Sequence, residues 1–277
     1  MITTNSHSLA RHLIEDLELR DSDLVFLFSG IWGLGRLENG LQDITNAFRA
    51  AIPKGVLFVP TFSYSWCNQQ PWDHQRTSCP DMGIYADSVW REKEFVRSNN
   101  PNFSVAALRT SHNADLVDAM LDNDDSCFGE QSVFGRIAHY GEENRAFLLL
   151  LGGAFKDCLF RCTLIHYVQQ KMMVPHRYEK IFRDPEGSGR VVTQLVRFLD
   201  PQEYEMINGT PPTTAMGFPV KEVFNPFGLE LKRQNKLIQK PFGFYESRMT
   251  SVSDCIDVFT RETIKNPAYC VVSGDWS

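Results

Sequence analysis

Three short apolar runs, each bounded by glycine or proline, constrain this chain more than any other feature. They are "DLVFLFSG" at 23–30, "VLFVP" at 56–60 and "RAFLLLLGG" at 145–153. Each is too short for a typical helix and offers almost no polar position, the pattern of a strand buried on both faces. Between the first two, Leu41, Ile44, Phe48 and Ile52 recur at helical spacing, and "PKG" closes the segment. Strand, loop, helix, strand is the unit of α/β proteins with a largely parallel sheet. Leu9, Leu13, Ile14 and Leu17 predict an N-terminal helix, and "RVVTQLVRFLD" at 190–200 alternates as a strand does. "SDCIDVFTRETIKNP" reads as a closing amphipathic helix, with Ser or Asp as its cap and Asn-Pro as its stop. No internal repeat or low-complexity tract interrupts this order.

The bulk numbers bound the function. With 277 residues, 43% hydrophobic and 22% charged, the chain has enough apolar material for one substantial domain over 1–277. Within it, 61–100 reads as a long active-site loop region and 185–277 as a C-terminal elaboration. A net charge of −6 argues against nucleic acid as a partner, because phosphate backbones are met by basic surfaces. The N-terminus is amphipathic and acidic without an apolar core, so no signal peptide is expected. No window reaches the roughly 18 uninterrupted apolar residues that a membrane span needs. Seven cysteines, an odd number, fit reduced thiols in a cytoplasmic protein. Oligomeric state is not legible.

Each motif has a plain structural reading beside its chemical one. "GIWGLGRLENG" at 30–40 holds four glycines, but as G-x-x-G-x-G rather than the dinucleotide fingerprint, and no Gly-Lys-Ser/Thr follows. It is equally a tight structural loop or a loop offering backbone N–H groups to a ligand. Cys158, Cys162 and His166 are spaced by four, yet no second ligand pair suggests zinc, so no metal is expected and buried thiols explain them better. "RSNNPNFSVAAL" at 97–108 reads most simply as a loop capped into a helix by a serine. "TFSYSWCNQQPWDHQRTSCPDMG" has neither helical nor strand periodicity, and loops of that length usually bind something. His166 stands about a dozen residues beyond the strongest strand, where α/β proteins place ligand sites, although a lone histidine is more often a hydrogen-bonded core residue.

In their order along the chain, these pieces resemble the aminoglycoside 3-N-acetyltransferase family. The resemblance runs through "FSGIWGLGRLENG", "GVLFVPTFSYSWCNQQPWD", "CPDMG", "RSNNPNFSVAAL", "FGEQSVFGR", "LLLLGG", "TLIHYV" and "VPHRYEKIF", covering most of 20–182. It is closest to members associated with amino-sugar and polysaccharide biosynthesis. The resemblance implies a three-layer α/β/α fold around a mixed, largely parallel sheet, moving an acetyl group from acetyl-CoA to an amine. It implies CoA contacts at Ser29, Gly30, Ile31, Trp32 and Gly33 and at Arg97, Ser98 and Ser104, and it makes His166 the general base. A neutral imidazole suits proton removal from an attacking amine near pH 7, and a glycine-bearing loop would offer N–H groups to the oxyanion. Thiolate departure needs no strong acid.

Three positions depart from the family pattern. Phe28 stands where members often carry histidine, Asn100 occupies the histidine of "RS-x-H-P", and Gln169 replaces a glutamate three residues after the base. An amide keeps hydrogen bonds but supplies no negative charge, so an altered acceptor site is expected at Gln169. Asp73 is the candidate replacement acid, and Tyr64, Trp66 and Trp72 would give a sugar ring apolar faces. The leading expectation is a CoA-dependent N-acetyltransferase acting on an amino sugar or sugar-containing metabolite. The rivals are an antibiotic-resistance enzyme acting on aminoglycosides and a binding protein that keeps the fold without the chemistry.

Overall fold

The computed structural model describes residues 2–122, 125–212 and 217–272. The first two apolar runs form β1 (Leu24–Ser29) and β2 (Val56–Pro60). After them come β3 (Phe95–Arg97), β4 (Val105–Leu108) and β5 (Ala146–Leu151), the last being the third run. A ribbon of β6 (Arg177–Arg183) and β7 (Val191–Arg197) stands apart from the main sheet, and β8 (Ile238–Phe242) and β9 (Tyr245–Ser251) complete that sheet. The seven-stranded order is β8-β9-β5-β1-β2-β4-β3.

The sheet is mixed, with its parallel part confined to the centre. Central β1 runs parallel to β2 and to β5. The flanking ladders β2/β4, β3/β4, β5/β9 and β8/β9 are antiparallel. The two ladders of β1 are the parallel ones in this sheet, fewer than the sequence suggested, and the flanking β3/β4 and β8/β9 hairpins have short connections that allow only antiparallel pairing.

Alternation along the strands builds two cores. Phe26 and Phe28 of β1, Phe58 of β2 and Leu148 and Leu150 of β5 point to one face. Val25 and Leu27, Leu57 and Val59, and Leu149 and Leu151 point to the other. The second face is covered by α1 (Ser6–Arg11, continued by a wider turn over His12–Asp16), α2 (Gln42–Ala51) and α3 (Ile84–Val89). The first is covered by α4 (Ala114–Leu121), α5 (Val133–Glu143), α6 (Ile165–Lys171), α8 (Asn225–Arg233) and α9 (Val252–Lys265), while α7 (Pro201–Asn208) has no buried residue. Three layers follow. Caps fix where helices start: Ser132 accepts the N–H of Gly135, and Ser251 accepts that of Asp254 at 3.0 Å. At its far end α9 stops at Lys265, two residues before Pro267.

Two segments differ from expectation. The apolar run after Ser104 is β4 rather than a helix, because pairing with β2 and β3 outweighs the helical preference of its alanines. The region 61–100 is irregular only to residue 79, after which a 3-10 turn (Pro80–Met82), α3 and β3 follow. In the C-terminal part, expected as an elaboration of the domain, β8 and β9 extend the main sheet and α9 packs on its first face.

The glycines of the first loop serve close packing. A Cβ at Gly33 would lie 2.1 Å from the carbonyl oxygen of Gly152, and Gly152 itself has φ +62°. The loops leaving β1 and β5 thus press backbone to backbone, and the chain leaving β5 leads on to α6.

Candidate active site

His166 sits in the first turn of α6, and its ring is only partly exposed. Three residues on, Gln169 shares its face of the helix and is fully buried. The imidazole Nδ1 lies 2.8 Å from Gln169 Oε1, and Gln169 Nε2 donates to Glu222 Oε1 at 2.6 Å. Glu222 is also bound by the Arg177 guanidinium and lies 3.3 Å from His176 Nε2. These residues come from α6, from the start of β6 and from the segment before α8, so only the tertiary fold assembles them.

The chain of contacts fixes a tautomer. An ionised carboxylate only accepts, so Glu222 requires the amide nitrogen of Gln169 to face it. The amide oxygen then faces His166 and requires Nδ1 to carry the proton. The lone pair is left on Nε2. Although burial alone would raise the Glu222 carboxyl, its bond from His176 and the Arg177 charge hold it well below the usual range. Burial, assisted by Arg177, pushes the His166 imidazole down to about 3, against opposing pulls from Glu222 and Gln169. The ring is neutral at physiological pH.

His166 lines a cavity of about 560 Å³, within the ~300–1,000 Å³ typical of small-molecule sites. Aromatic walls flank the imidazole: Phe128 is 5.1 Å and Phe224 6.4 Å from its ring, both edge-on. The rest of the lining mixes apolar side chains such as Phe182 and Leu195 with six charged ones, Arg161, Arg177, Lys180, Arg197, Glu203 and Glu222.

The other expected site residues fall into three groups. Tyr64 lies beside the cavity, its ring 5.2 Å from lining residue Phe103 and perpendicular to it. It has φ +53°, a strained value for tyrosine, and burial raises its hydroxyl to about 12 despite the nearby Arg161 charge, so it stays protonated. Ser29, Gly30, Ile31, Trp32 and Gly33 form the end of β1 and the turn against Gly152; Trp32 is 94% exposed, and none of the five lines the His166 cavity.

The third group turns inward. Arg97 is buried between the rings of Trp72 and Trp90, at 4.5 and 4.9 Å, and donates to Thr61 and Thr77 carbonyls at 2.7 and 2.6 Å. Ser104 donates to the Thr61 carbonyl at 2.6 Å, and Ser98 accepts the N–H of Val105 at 3.0 Å. Arg97 and Ser104, expected as CoA contacts, tie the β3–β4 hairpin to the loop beyond β2, and Ser98, expected likewise, closes the hairpin itself. Gln169 is fully buried, its amide held between His166 and Glu222. Asp73 caps a turn and lies 3.6 Å from Arg76, outside the cavity lining. Of the proposed sugar platforms, Trp66 is buried and Trp72 stacks on Arg97, which leaves Tyr64.

The departures resolve similarly. Phe28 is a core residue against Phe26 and Phe155, and Asn100 shapes its own turn by accepting the Asn102 and Phe103 N–H groups. Cys158 and Cys162 precede α6 rather than sharing its face with His166; Cys162 instead lies 3.5 Å from Cys255. Among the described residues no group of His, Cys, Asp and Glu is arranged to hold a metal, and no helix is long and apolar enough to cross a membrane. Sequence reasoning missed Glu222, Arg177 and the cavity's cations. His176 and Arg177 lay in plain view in "VPHRYEKIF", but nothing local tied them to a glutamate 45 residues on.

A family model described as aminoglycoside 3-N-acetyltransferase matches residues 27–262. Among solved structures, the AAC(3)-IVa apoenzyme is 18% identical, with 98% of this chain and 93% of that one covered at a TM-score of 0.72. AAC-IIIb, solved as a binary complex with CoASH, is 18% identical over 95% and 97% at 0.68. YokD from Bacillus subtilis is 17% identical over 97% and 96% at 0.68. At such identities the likeness speaks to the fold. No curated protein matches the chain.

Proposed function

The chain belongs to the aminoglycoside 3-N-acetyltransferase family, CoA-dependent enzymes that acylate amines, and from that premise we propose that it acetylates the amino group of an amino sugar or sugar-containing metabolite, with His166 as base. The observation that carries this reading is the Glu222–Gln169–His166 chain, which leaves a lone pair on Nε2 of a cavity-lining ring.

The chemistry follows from that proton inventory. The neutral acceptor nitrogen attacks the thioester carbon of acetyl-CoA, forming the C–N bond and a tetrahedral oxyanion. The nitrogen becomes cationic and strongly acidic as it attacks, so even a weak base such as this imidazole takes its proton onto Nε2. Collapse of the oxyanion breaks the C–S bond and releases CoA as a thiolate, which takes up a proton from the imidazolium or from water. Gln169 does not replace the family's charge at the ring; it relays orientation to His166 from the carboxylate of Glu222 behind it.

Steady-state assays with acetyl-CoA and a panel of amino sugars test the proposal. Loss of a positioned base costs about 10²–10⁴-fold, so His166→Ala is expected to lose turnover on that scale. Turnover unchanged in that variant overturns the role given to His166. Family membership also favours a second reading, with aminoglycoside drugs as acceptors. AAC(3)-IVa has been solved with a gentamicin and with apramycin. Drug resistance conferred on a susceptible host by this chain, without amino-sugar turnover, would select that reading.

A further inference from the structure

The wall of the His166 cavity is cationic although the chain as a whole carries −6. Four of its lining side chains are basic, Arg161, Arg177, Lys180 and Arg197, against two carboxylates. Both carboxylates are already engaged. Glu222 is held by Arg177, Gln169 and His176. Glu203 accepts from the Tyr178 hydroxyl and, at 2.9 Å, from the Leu199 N–H, leaving Lys180 a distant contact at 3.9 Å. Arg161 lies on the rings of Phe155 and Phe224, at 4.9 and 5.5 Å, and among the described residues no carboxylate pairs with it. Arg197 has no carboxylate partner there either, and it stands directly across the ladder from Arg177. Like charges opposed in a ladder repel. Arg177 is neutralised by Glu222; among the described residues no carboxylate does the same for Arg197.

Such a wall repels a polycation and attracts an anion. We propose that the acceptor is an amino sugar carrying an anionic group, phosphoryl or carboxylate, received by Arg161, Lys180 and Arg197 while its amine faces His166. This rests on the acetyl-transfer reading above. The phosphates of CoA are the competing claimant. They lie the full length of the pantetheine arm from the sulfur, whereas these cations share one small cavity with the base. The same charges favour the unprotonated amine, the form that attacks, so recognition and activation reinforce each other.

Calorimetry on the CoA-saturated protein, with glucosamine, glucosamine 1-phosphate, glucosamine 6-phosphate and muramic acid as probes, tests this directly, with kcat/KM measured on the same panel. An anionic sugar is expected to bind at least tenfold more tightly than glucosamine, and the phosphate and carboxylate arms tell the two groups apart. Arg161→Gln and Arg197→Gln, both at exposed side chains, are expected to erase that ratio by raising KM for the sugar rather than for acetyl-CoA. Equal or absent binding of all four sugars overturns the proposal. So does a rise confined to the KM for acetyl-CoA, which assigns the cations to the cofactor's phosphates. Failure of the wider reading looks different: no CoA bound, or turnover indifferent to His166→Ala.

Discussion

In the proposed reaction two demands meet at His166: a proton acceptor must be neutral when the amine arrives, yet oriented at every moment. Burial meets the first by pushing the imidazole down to about 3. The activity profile should therefore rise with the acceptor amine's own ionisation and show no inflection at the ordinary imidazole value near 6.5; an acid limb centred there in kcat/KM would contradict the assignment. Stability carries the same signature. Between about 3 and 6.5 the unfolded chain binds a proton that folded His166 refuses, so this residue's contribution falls as pH drops through 6.5. Thermal melts at pH 7 and pH 5 should accordingly show a smaller acid-induced loss in His166→Gln than in the native protein. Gln169→Glu, which restores the family residue, places a second carboxylate against buried Glu222. The variant is expected to lose stability increasingly as pH rises past the carboxylate range, because the two charges cannot both be held there; melts from pH 5 to 8 read this directly.

Among the elements, the two loops that leave β1 and β5 and the β6–β7 ribbon position the site. Gly33→Ala drives a methyl group into the Gly152 carbonyl, backbone against backbone, where no side chain can move aside. A cost of about 1–3 kcal/mol in urea unfolding is expected, with reduced turnover because the displaced chain leads to α6. The ribbon is two strands outside the main sheet, carrying Arg177, Lys180 and Arg197. Isolated pairs of strands are marginal by themselves. Amide protons of Arg177–Arg183 and Val191–Arg197 should exchange faster than those of Ala146–Leu151, and slow when an acceptor binds; equal protection in both would mean that the ribbon is as rigid as the sheet.

For the molecule as a whole, a net charge of −6 accompanies a cavity whose lining carries four basic side chains and two carboxylates. Charges of this kind act over about 8 Å at physiological ionic strength. Acetylation of an anionic amino sugar should lose efficiency as salt is raised from low to high, through KM, while a neutral amino sugar responds weakly. Identical salt responses would show that charge does not select the acceptor.

Periodicity and punctuation alone determined the three central strands, α2 and α9, since a strand buried on both faces or a helix with one apolar stripe must repeat those demands residue by residue. Position beyond the strongest strand and the order of motifs also brought His166 forward. The sequence was silent on β8 and β9, whose "IQKPF" and "YESRMT" are the polar-rich strands of a sheet flank, with Pro241 on its edge. It did not reveal that Arg97, Ser104 and Gln169 bond to other parts of the protein, because a polar side chain looks the same whether it faces a ligand or another part of the chain. Only tertiary structure decided that question. Hydrogen bonds and charges act through space: Glu222 meets Gln169 across 53 residues of sequence, and through it reaches His166.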